Sequence, residues 1–254
     1  MGTTVKAMVS NPFRLALALA GALSRPASAG AQPVWMQRMT LMVVLLVPLV
    51  VLLHAWDADI SRQVQAGTGF FMDSVRFATD FARTAYWFAA ALLIWLLSAL
   101  FLYPASPVRN SPWLLKANWW ATLVLLSIVG AGIPLKLIKI AVGRARPYLL
   151  ESLGPRAFDP FNGADLYQSF PSGHSMMAGI LMVSLWIFFP FLRVVTVMIC
   201  LLLVFSRMAI GAHYPSDVVA GFATGLIMTC CVARYMAARN IIFSTTDGCM
   251  LPDV

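Results

Sequence analysis

Charge is what this sequence has least of. Asp and Glu number 10, Lys and Arg 18, and the four types together supply 11% of the 254 residues. A water-soluble domain carries roughly 25% charged residues because its exterior faces water, so a soluble globular fold is excluded. Histidine is rarer still, with 3 in the whole chain. The 4 cysteines, Cys200, Cys230, Cys231 and Cys249, offer no pair at zinc-ligand spacing. Most of them lie inside apolar runs, where a free cysteine acts as a small packing residue. No carboxylate cluster suits a metal, and neither a metal nor another cofactor is expected. The net charge of +8 comes without a basic face or nucleic-acid motif, so nucleic acid is not an expected partner. An anionic membrane surface or an anionic substrate accounts for the basic balance.

What the chain has in abundance is apolar sequence: 60% of residues are hydrophobic and the mean hydropathy is +0.81. A bilayer core takes about 20 apolar residues per helix. Six stretches qualify, near Met39–Trp56, Thr84–Tyr103, Ala117–Leu135, Ser175–Leu192, Val194–Gly211 and Val218–Ala238. The expected fold is therefore all-α, a six-helix transmembrane bundle over residues 39–239, with the lipid bilayer as its surroundings. Pro134 is expected to bend or end the third helix. Trp35, Trp56, Trp87, Tyr103, Trp113, Trp119 and Trp120 fall near span edges, as interfacial anchors do.

Residues 1–38 read as an N-terminal cytoplasmic segment and 240–254 as a C-terminal tail. Within the former, Lys6 and Arg14 precede the run Leu15–Leu23, and Ala27-Ser28-Ala29 resembles a signal-peptidase site, but the run is short and Arg25 sits between it and that site. The segment is read as uncleaved. Lys and Arg divide evenly between the two sides of the bundle. Setting aside Lys139, Arg146 and Arg207, whose charges have a chemical use, leaves the excess on the side of both termini, which the positive-inside rule places in the cytoplasm.

Two segments on the other side stand out. Residues 57–83 place Phe70, Phe71, Val75, Phe77 and Phe81 among charges, which suits either a helix lying in the interface or an ordered loop packed on the bundle. The stretch from Ile140 to Phe170 is about thirty residues long, and connections of that length are usually functional or disordered.

Polar groups in or beside a membrane span are expensive and need a reason. Three sets fall at helix ends on one side. Lys139 is followed by six residues and Arg146-Pro147; alone, these read as a snorkelling lysine and an interfacial arginine. Pro171-Ser172-Gly173-His174 opens the fourth span, with Ser172 an N-cap and the free amides beyond it an anion site. Ser206-Arg207 leads over five residues to His213, and Asp217 follows at a spacing of four. Pro215 starts a helix there, so His213 and Asp217 share a face and the carboxylate can accept from one imidazole nitrogen. Taken singly, that pair is a structural hydrogen bond; taken together, two histidines, a carboxylate, three cations and a helix N-terminus are what in-line phosphoryl transfer needs.

The series Lys139-(six)-Arg146-Pro147, Pro171-Ser172-Gly173-His174 and Ser206-Arg207-(five)-His213-(three)-Asp217 resembles the complete signature of the type 2 phosphatidic acid phosphatase superfamily. The resemblance implies an integral membrane, metal-independent phosphatase acting on a membrane lipid with an anionic phosphate head group. It implies that His213 attacks phosphorus and forms a phosphohistidine, with Asp217 orienting it. His174 would protonate the leaving group and then activate water. Lys139, Arg146 and Arg207 would hold the phosphate, and Ser172 and the Gly173 amide would add hydrogen bonds.

The segment Gly154–Phe170, with Phe158-Asp159-Pro160-Phe161 and Ser169-Phe170-Pro171, resembles the bacterial lipid A phosphatases. Lipid A, at its 1- or 4'-phosphate, is thus the first expected substrate, with phosphatidylglycerophosphate and undecaprenyl pyrophosphate as alternatives. A lipid phosphotransferase would carry the same motif; a non-catalytic scaffold or lipid transporter would have no need of His174, His213 and Asp217 together. A soluble vanadate haloperoxidase shares the pattern but not the six apolar runs. The expected location is a bacterial inner membrane, multi-pass, with the site facing the periplasm. Arg144 and Arg156 are open between gripping a second phosphate or sugar and lying as solvated interfacial charges. His54 is read as interfacial, and Asp159 and Asp165 as local charge balance. The oligomeric state is not legible.

Overall fold

In the computed structural model, residues 2–102, 106–108 and 110–242 are described. Tyr103, Arg109, Cys249 and the tail beyond residue 242 lie outside them. Among the described residues nine α-helices run in chain order: α1 (Gly2–Leu23), α2 (Gln37–Ala66), α3 (Phe70–Ala78), α4 (Thr84–Phe101), α5 (Pro112–Val142), the single turn α6 (Leu150–Leu153), α7 (Gly173–Phe188), α8 (Arg193–Ala209) and α9 (Pro215–Ala237). Among the described residues there is no strand, only an isolated bridge between Arg144 and Phe158.

Among the described residues, five helical stretches are long and apolar enough to cross a membrane: α2, α4, α5, the run Pro190–Ala209 that ends in α8, and α9. The sixth expected span is α7, which has 16 residues and at 1.5 Å per residue reaches about 24 Å, short of a bilayer core of about 30 Å. It packs among α4, α5, α8 and α9 and is buried along most of its length, so protein rather than lipid surrounds it. By contrast, α2 turns Leu41, Val44, Leu45, Val47, Val51 and Leu52 outward, as a lipid-facing helix does.

Three helix limits depart from the sequence expectation. The first span continues ten residues past Trp56 to Ala66 and so carries Asp57 inside the helix. The third runs through Pro134 to Val142; the proline ring faces the carbonyl of Gly130, and the missing bond is tolerated where neighbouring helices support the backbone. That continuation carries Lys139 into the last turn of α5. The fourth stops at Phe188, before Pro190. Trp120, expected at an interface, is buried in the core instead.

The core centres on α5, α7 and α9, with Leu123, Val124, Met176, Met177, Ile180, Cys230 and Met236 fully or nearly buried. Helices α7 and α9 touch backbone to backbone. A Cβ built on Gly221 would lie 2.1 Å from the Ser172 carbonyl oxygen, one on Gly225 2.0 Å from that of Met176, and one on Gly179 2.4 Å from that of Phe222. Asn118 ties α5 to α4, donating to Ser98 Oγ at 2.9 Å and the Trp95 carbonyl at 3.3 Å, the polar cross-link favoured between helices in lipid.

The N-terminal segment is fastened at the end of the bundle where α9 finishes. Ser28 N donates to the Ala238 carbonyl at 2.8 Å, Arg234 Nη2 to that of Pro33 at 2.8 Å, and Arg239 Nε to that of Leu23 at 3.0 Å. The Asn11 side chain donates to the Ala99 carbonyl of α4. Of the two sequence readings for residues 57–83, the structure shows packing on the bundle. Helix α3 packs on α8 through buried Val75, and Arg76 reaches the Gly67 carbonyl at 2.9 Å. Phe70, Phe71, Phe77 and Phe81 point away from the protein.

Candidate active site

The ends of α5 and α8 meet the starts of α7 and α9 at one end of the bundle, and every signature residue lies there. Lys139 occupies the last buried turn of α5. The helix stops at Gly143, whose φ of 57° favours glycine and whose missing side chain leaves room for the Asp159 carbonyl, 1.8 Å from where a Cβ would stand. The long connection is stitched back along residues 143–146. Asp159 N donates to the Gly143 carbonyl at 2.7 Å, Ala145 N to that of Ala157 at 3.0 Å, Arg146 N to that of Leu166 at 2.8 Å, and Ser169 N to that of Arg144 at 3.0 Å. The loop is thus an ordered wall of the site.

At the start of α7, Ser172 Oγ accepts from Ser175 N at 3.3 Å and from Ser175 Oγ at 3.0 Å, the N-cap read from the sequence. At the end of α8, the Arg207 carbonyl accepts from Ala212 N at 3.1 Å and His213 N at 3.2 Å, which sets His213 just beyond Arg207. Thr79 Oγ1 accepts from Arg207 Nη1 at 2.6 Å. Lys139 Nζ donates to the Gln168 carbonyl at 2.5 Å, and Lys136 Nζ to Gln168 Oε1 at 2.5 Å. Arg146 grips Asp165 with Nη2 on Oδ1 at 2.9 Å and Nε on the carbonyl at 2.9 Å.

A cavity of about 290 Å³ opens at this end, and Lys139, Arg146, Gly173, His174, Arg207 and His213 all line it, with Lys136, Gln168, Thr84 and Asp165. Of the eight expected site residues, the two that do not line it are Ser172, turned into its cap, and Asp217, behind His213. A small chamber ringed by cations suits a doubly charged phosphate group.

Asp217 is fully buried and its carboxylate is saturated by donors. Oδ2 accepts from Ser169 Oγ at 2.5 Å and Tyr214 N at 2.9 Å, and Oδ1 from Arg144 Nη1 at 2.5 Å. His213 Nδ1 lies 3.8 Å from Oδ2, an ion-pair distance rather than the hydrogen bond expected from the spacing. Burial, reinforced by Lys139 and Arg207 and opposed by Asp217, lowers the His213 pKa to about 4. The imidazole is therefore neutral at physiological pH, the form a nucleophile requires. His174 Nε2 is also buried and has no hydrogen-bond partner among the described residues.

Arg144 corrects the sequence reading. It neither faces solvent nor points to a second phosphate position: its guanidinium is buried between Asp57, with Nη2 to Oδ2 at 2.7 Å, and Asp217. Burial opposes its charge, but the two carboxylates more than offset that and raise its pKa. His54 is not far from the motifs either, since Nδ1 stands 3.1 Å from Arg144 Nη2 and 3.3 Å from Asp57 Oδ2. Asp57, Ser169, Ser216 and Gln168 were not singled out from the sequence. For Asp57 the signal was there: a carboxylate directly after an apolar run, three residues beyond a histidine. Arg156 is exposed, and Asp159 accepts from Asn162 Nδ2 at 2.7 Å.

Comparison with known proteins agrees with this geometry. The family model described as the PAP2 superfamily matches residues 120–241. Lipid A 1-phosphatases from Rhizobium johnstonii and Rhizobium etli are each 31% identical to the chain over 171 residues, 67% of its length, which is 70% and 74% of theirs. The crystal structure of a transmembrane PAP2-type phosphatidylglycerolphosphate phosphatase from Bacillus subtilis aligns over 78% of this chain and 94% of its own, with a TM-score of 0.56 and 22% identity. That last likeness is one of fold.

Proposed function

Because the chain belongs to the PAP2 superfamily and is a multi-pass membrane lipid phosphatase, a hydrolase of phosphoric monoesters, we propose that it removes a phosphate from lipid A. The 1-phosphate is the first choice, the names of its relatives being lipid A 1-phosphatase. In this proposal the reaction takes place at the periplasmic face of a bacterial inner membrane, a reading supported by the excess of Lys and Arg on the side of both termini once Lys139, Arg146 and Arg207 are set aside. The observation that carries the reading is the convergence of Lys139, Arg146, Arg207, His174 and His213 on one small cavity at the end of the bundle.

Lys139, Arg146 and Arg207 neutralise the phosphate oxygens, and the Gly173 amide at the start of α7 adds a donor from a helix N-terminus. Ser172 contributes by capping that helix. Neutral His213 attacks phosphorus; an N–P bond forms while the P–O bond to the lipid breaks. In this mechanism His174 gives a proton to the leaving oxygen, taking up that proton only as the anionic phosphate enters the cavity beside it. It then takes a proton from water, which attacks the phosphohistidine and releases inorganic phosphate. Asp217, held ionised by Arg144, faces the positive charge that grows on the His213 ring. No step in this sequence calls on a metal.

The test is phosphate release by the detergent-purified protein from lipid A, phosphatidylglycerophosphate, undecaprenyl pyrophosphate and phosphatidic acid, with EDTA present. Release from lipid A, lost in His213→Ala and His174→Ala, is the expected result. Preference for another lipid would overturn the substrate; release that survives His213→Ala would overturn the mechanism. Phosphate recovered on a second lipid instead of in solution would make the protein a transferase.

A further inference from the structure

Behind the cavity, the buried charges form a chain that the phosphate never touches. Asp57 of α2, Arg144 after α5 and Asp217 of α9 are exposed by only 2%, 2% and 0%. Arg144 Nη2 donates to Asp57 Oδ2 at 2.7 Å, and Nη1 to Asp217 Oδ1 at 2.5 Å. Ser216 closes the ring: its amide donates to Asp57 Oδ1 at 2.9 Å, its hydroxyl to Asp57 Oδ2, and its oxygen accepts from Arg144 Nη1 at 2.8 Å. The Tyr214 ring covers the guanidinium at 4.2 Å. Neither Asp57 nor Arg144 lines the cavity of the histidines.

Buried charges this costly need a return. One guanidinium between two carboxylates leaves the cluster one negative charge in excess, and Asp217 is its member next to His213. That excess has a use when His213 becomes phosphorylated and its ring turns positive. With Arg144 paired to Asp217 alone, the charges would cancel. Asp57 engages the far side of the guanidinium and restores the surplus, while the fork of Arg144 fixes the direction of the Asp217 carboxylate.

We propose that Asp57 and Arg144 are positioning residues for phosphoryl transfer: by fixing the Asp217 carboxylate 3.8 Å from His213 Nδ1 they supply the net negative charge that stabilises the phosphorylated ring. The inference rests on the phosphohistidine reading above, and it recruits the first membrane span, remote in sequence from every signature motif, into the reaction.

The experiment measures the single-turnover rate of phosphohistidine formation, by trapping the base-stable, acid-labile label after alkaline quench, with radiolabelled lipid A in detergent. It compares wild type, Asp57→Asn, Ser216→Ala, Asp217→Asn and the Asp57→Asn/Asp217→Asn double variant, each with its thermal midpoint. Expected is a fall of about 10- to 100-fold in the Asp57→Asn rate, the range for outer partners of an active group, with KM within about twofold because uniform substrate binding is untouched. The double variant should be no slower than Asp217→Asn, since Asp57 acts through Asp217. Ser216→Ala, which removes a hydroxyl but no charge, keeps the test readable should Asp57→Asn fold poorly; a slower rate with unchanged KM is expected there too. Wild-type rates in Asp57→Asn or in Ser216→Ala, or losses that add in the double variant, would overturn the proposal. Absence of a phosphoenzyme in the wild type would instead overturn the phosphohistidine reading itself.

Discussion

The Ser172 amide donates to the Asp217 carbonyl at 3.0 Å, so the cap of one site helix is bonded directly to the first turn of the other. His174 and His213 inherit their separation from that bond and from the glycine contact beneath it. Adding a methyl at Gly221 drives it onto the Ser172 carbonyl, 2.1 Å away. Gly221→Ala is expected to cost about 1–3 kcal/mol of stability as an overpacked contact and, by shifting the histidines, to lower kcat about a hundredfold. Thermal unfolding and turnover in detergent check both. Gly163→Ala, where a Cβ meets nothing within 4 Å, serves as the silent comparison.

The neutral state of buried His213 has a cost at low pH. Its pKa falls from 6.5 to about 4 in the folded protein. The unfolded chain therefore binds more protons between those values, and stability declines as pH falls through that window. Below about 4 the penalty is complete. Thermal midpoints at about pH 7 and pH 5 should separate more in the wild type than in His213→Gln, which has no proton to take up. An equal separation in the two proteins would refute the assignment.

Arg146 is already occupied by Asp165, a residue 82% exposed at its side chain. An ion pair so open to water is worth about 0–1 kcal/mol, so Asp165→Asn should leave the thermal midpoint nearly unchanged. It frees Arg146 for the phosphate, however, and is expected to tighten inhibition by inorganic phosphate severalfold. Titration of the purified protein with phosphate measures this; weaker inhibition would mean that Asp165 organises Arg146 rather than competing for it.

The orientation can be read with a thiol label. Phe161 in the loop wall is 78% exposed, whereas native Cys200 and Cys230 are buried. In a Cys231→Ser/Cys249→Ser background, which also removes half-buried Cys231, Phe161→Cys should react with a membrane-impermeant maleimide from the periplasmic side in intact cells. Labelling only after the inner membrane is broken would invert the topology.

The signature residues were legible because their chemistry is local: His213 and Asp217 are one helical turn apart, and Ser172 precedes an apolar run as an N-cap does. The helical bundle was legible for the same reason, from apolar runs of the right length. Arg144 was not, because its meaning lies in Asp57, 87 residues earlier, and no spacing rule joins residues on separate helices. The end of α5 was misjudged at Pro134 because a proline stops a helix in water more surely than one held between neighbours in lipid. The hydrogen bond expected between His213 and Asp217 failed for another reason. Both oxygens of that carboxylate are claimed by Ser169, Tyr214 and Arg144, which the four-residue spacing could not reveal.

The chamber of about 290 Å³ has one more consequence. Its cations Lys139, Arg146 and Arg207 gather in one side-chain cluster with the two histidines, so the reacting groups meet every substrate as the same anion. Recognition of the rest of the molecule falls to the walls beyond those cations, where Asp165 and Gln168 of the long loop stand. Selectivity and reactivity are therefore separable in this architecture: exchanging those walls should redirect the enzyme to a different lipid while leaving its chemical step at the same speed.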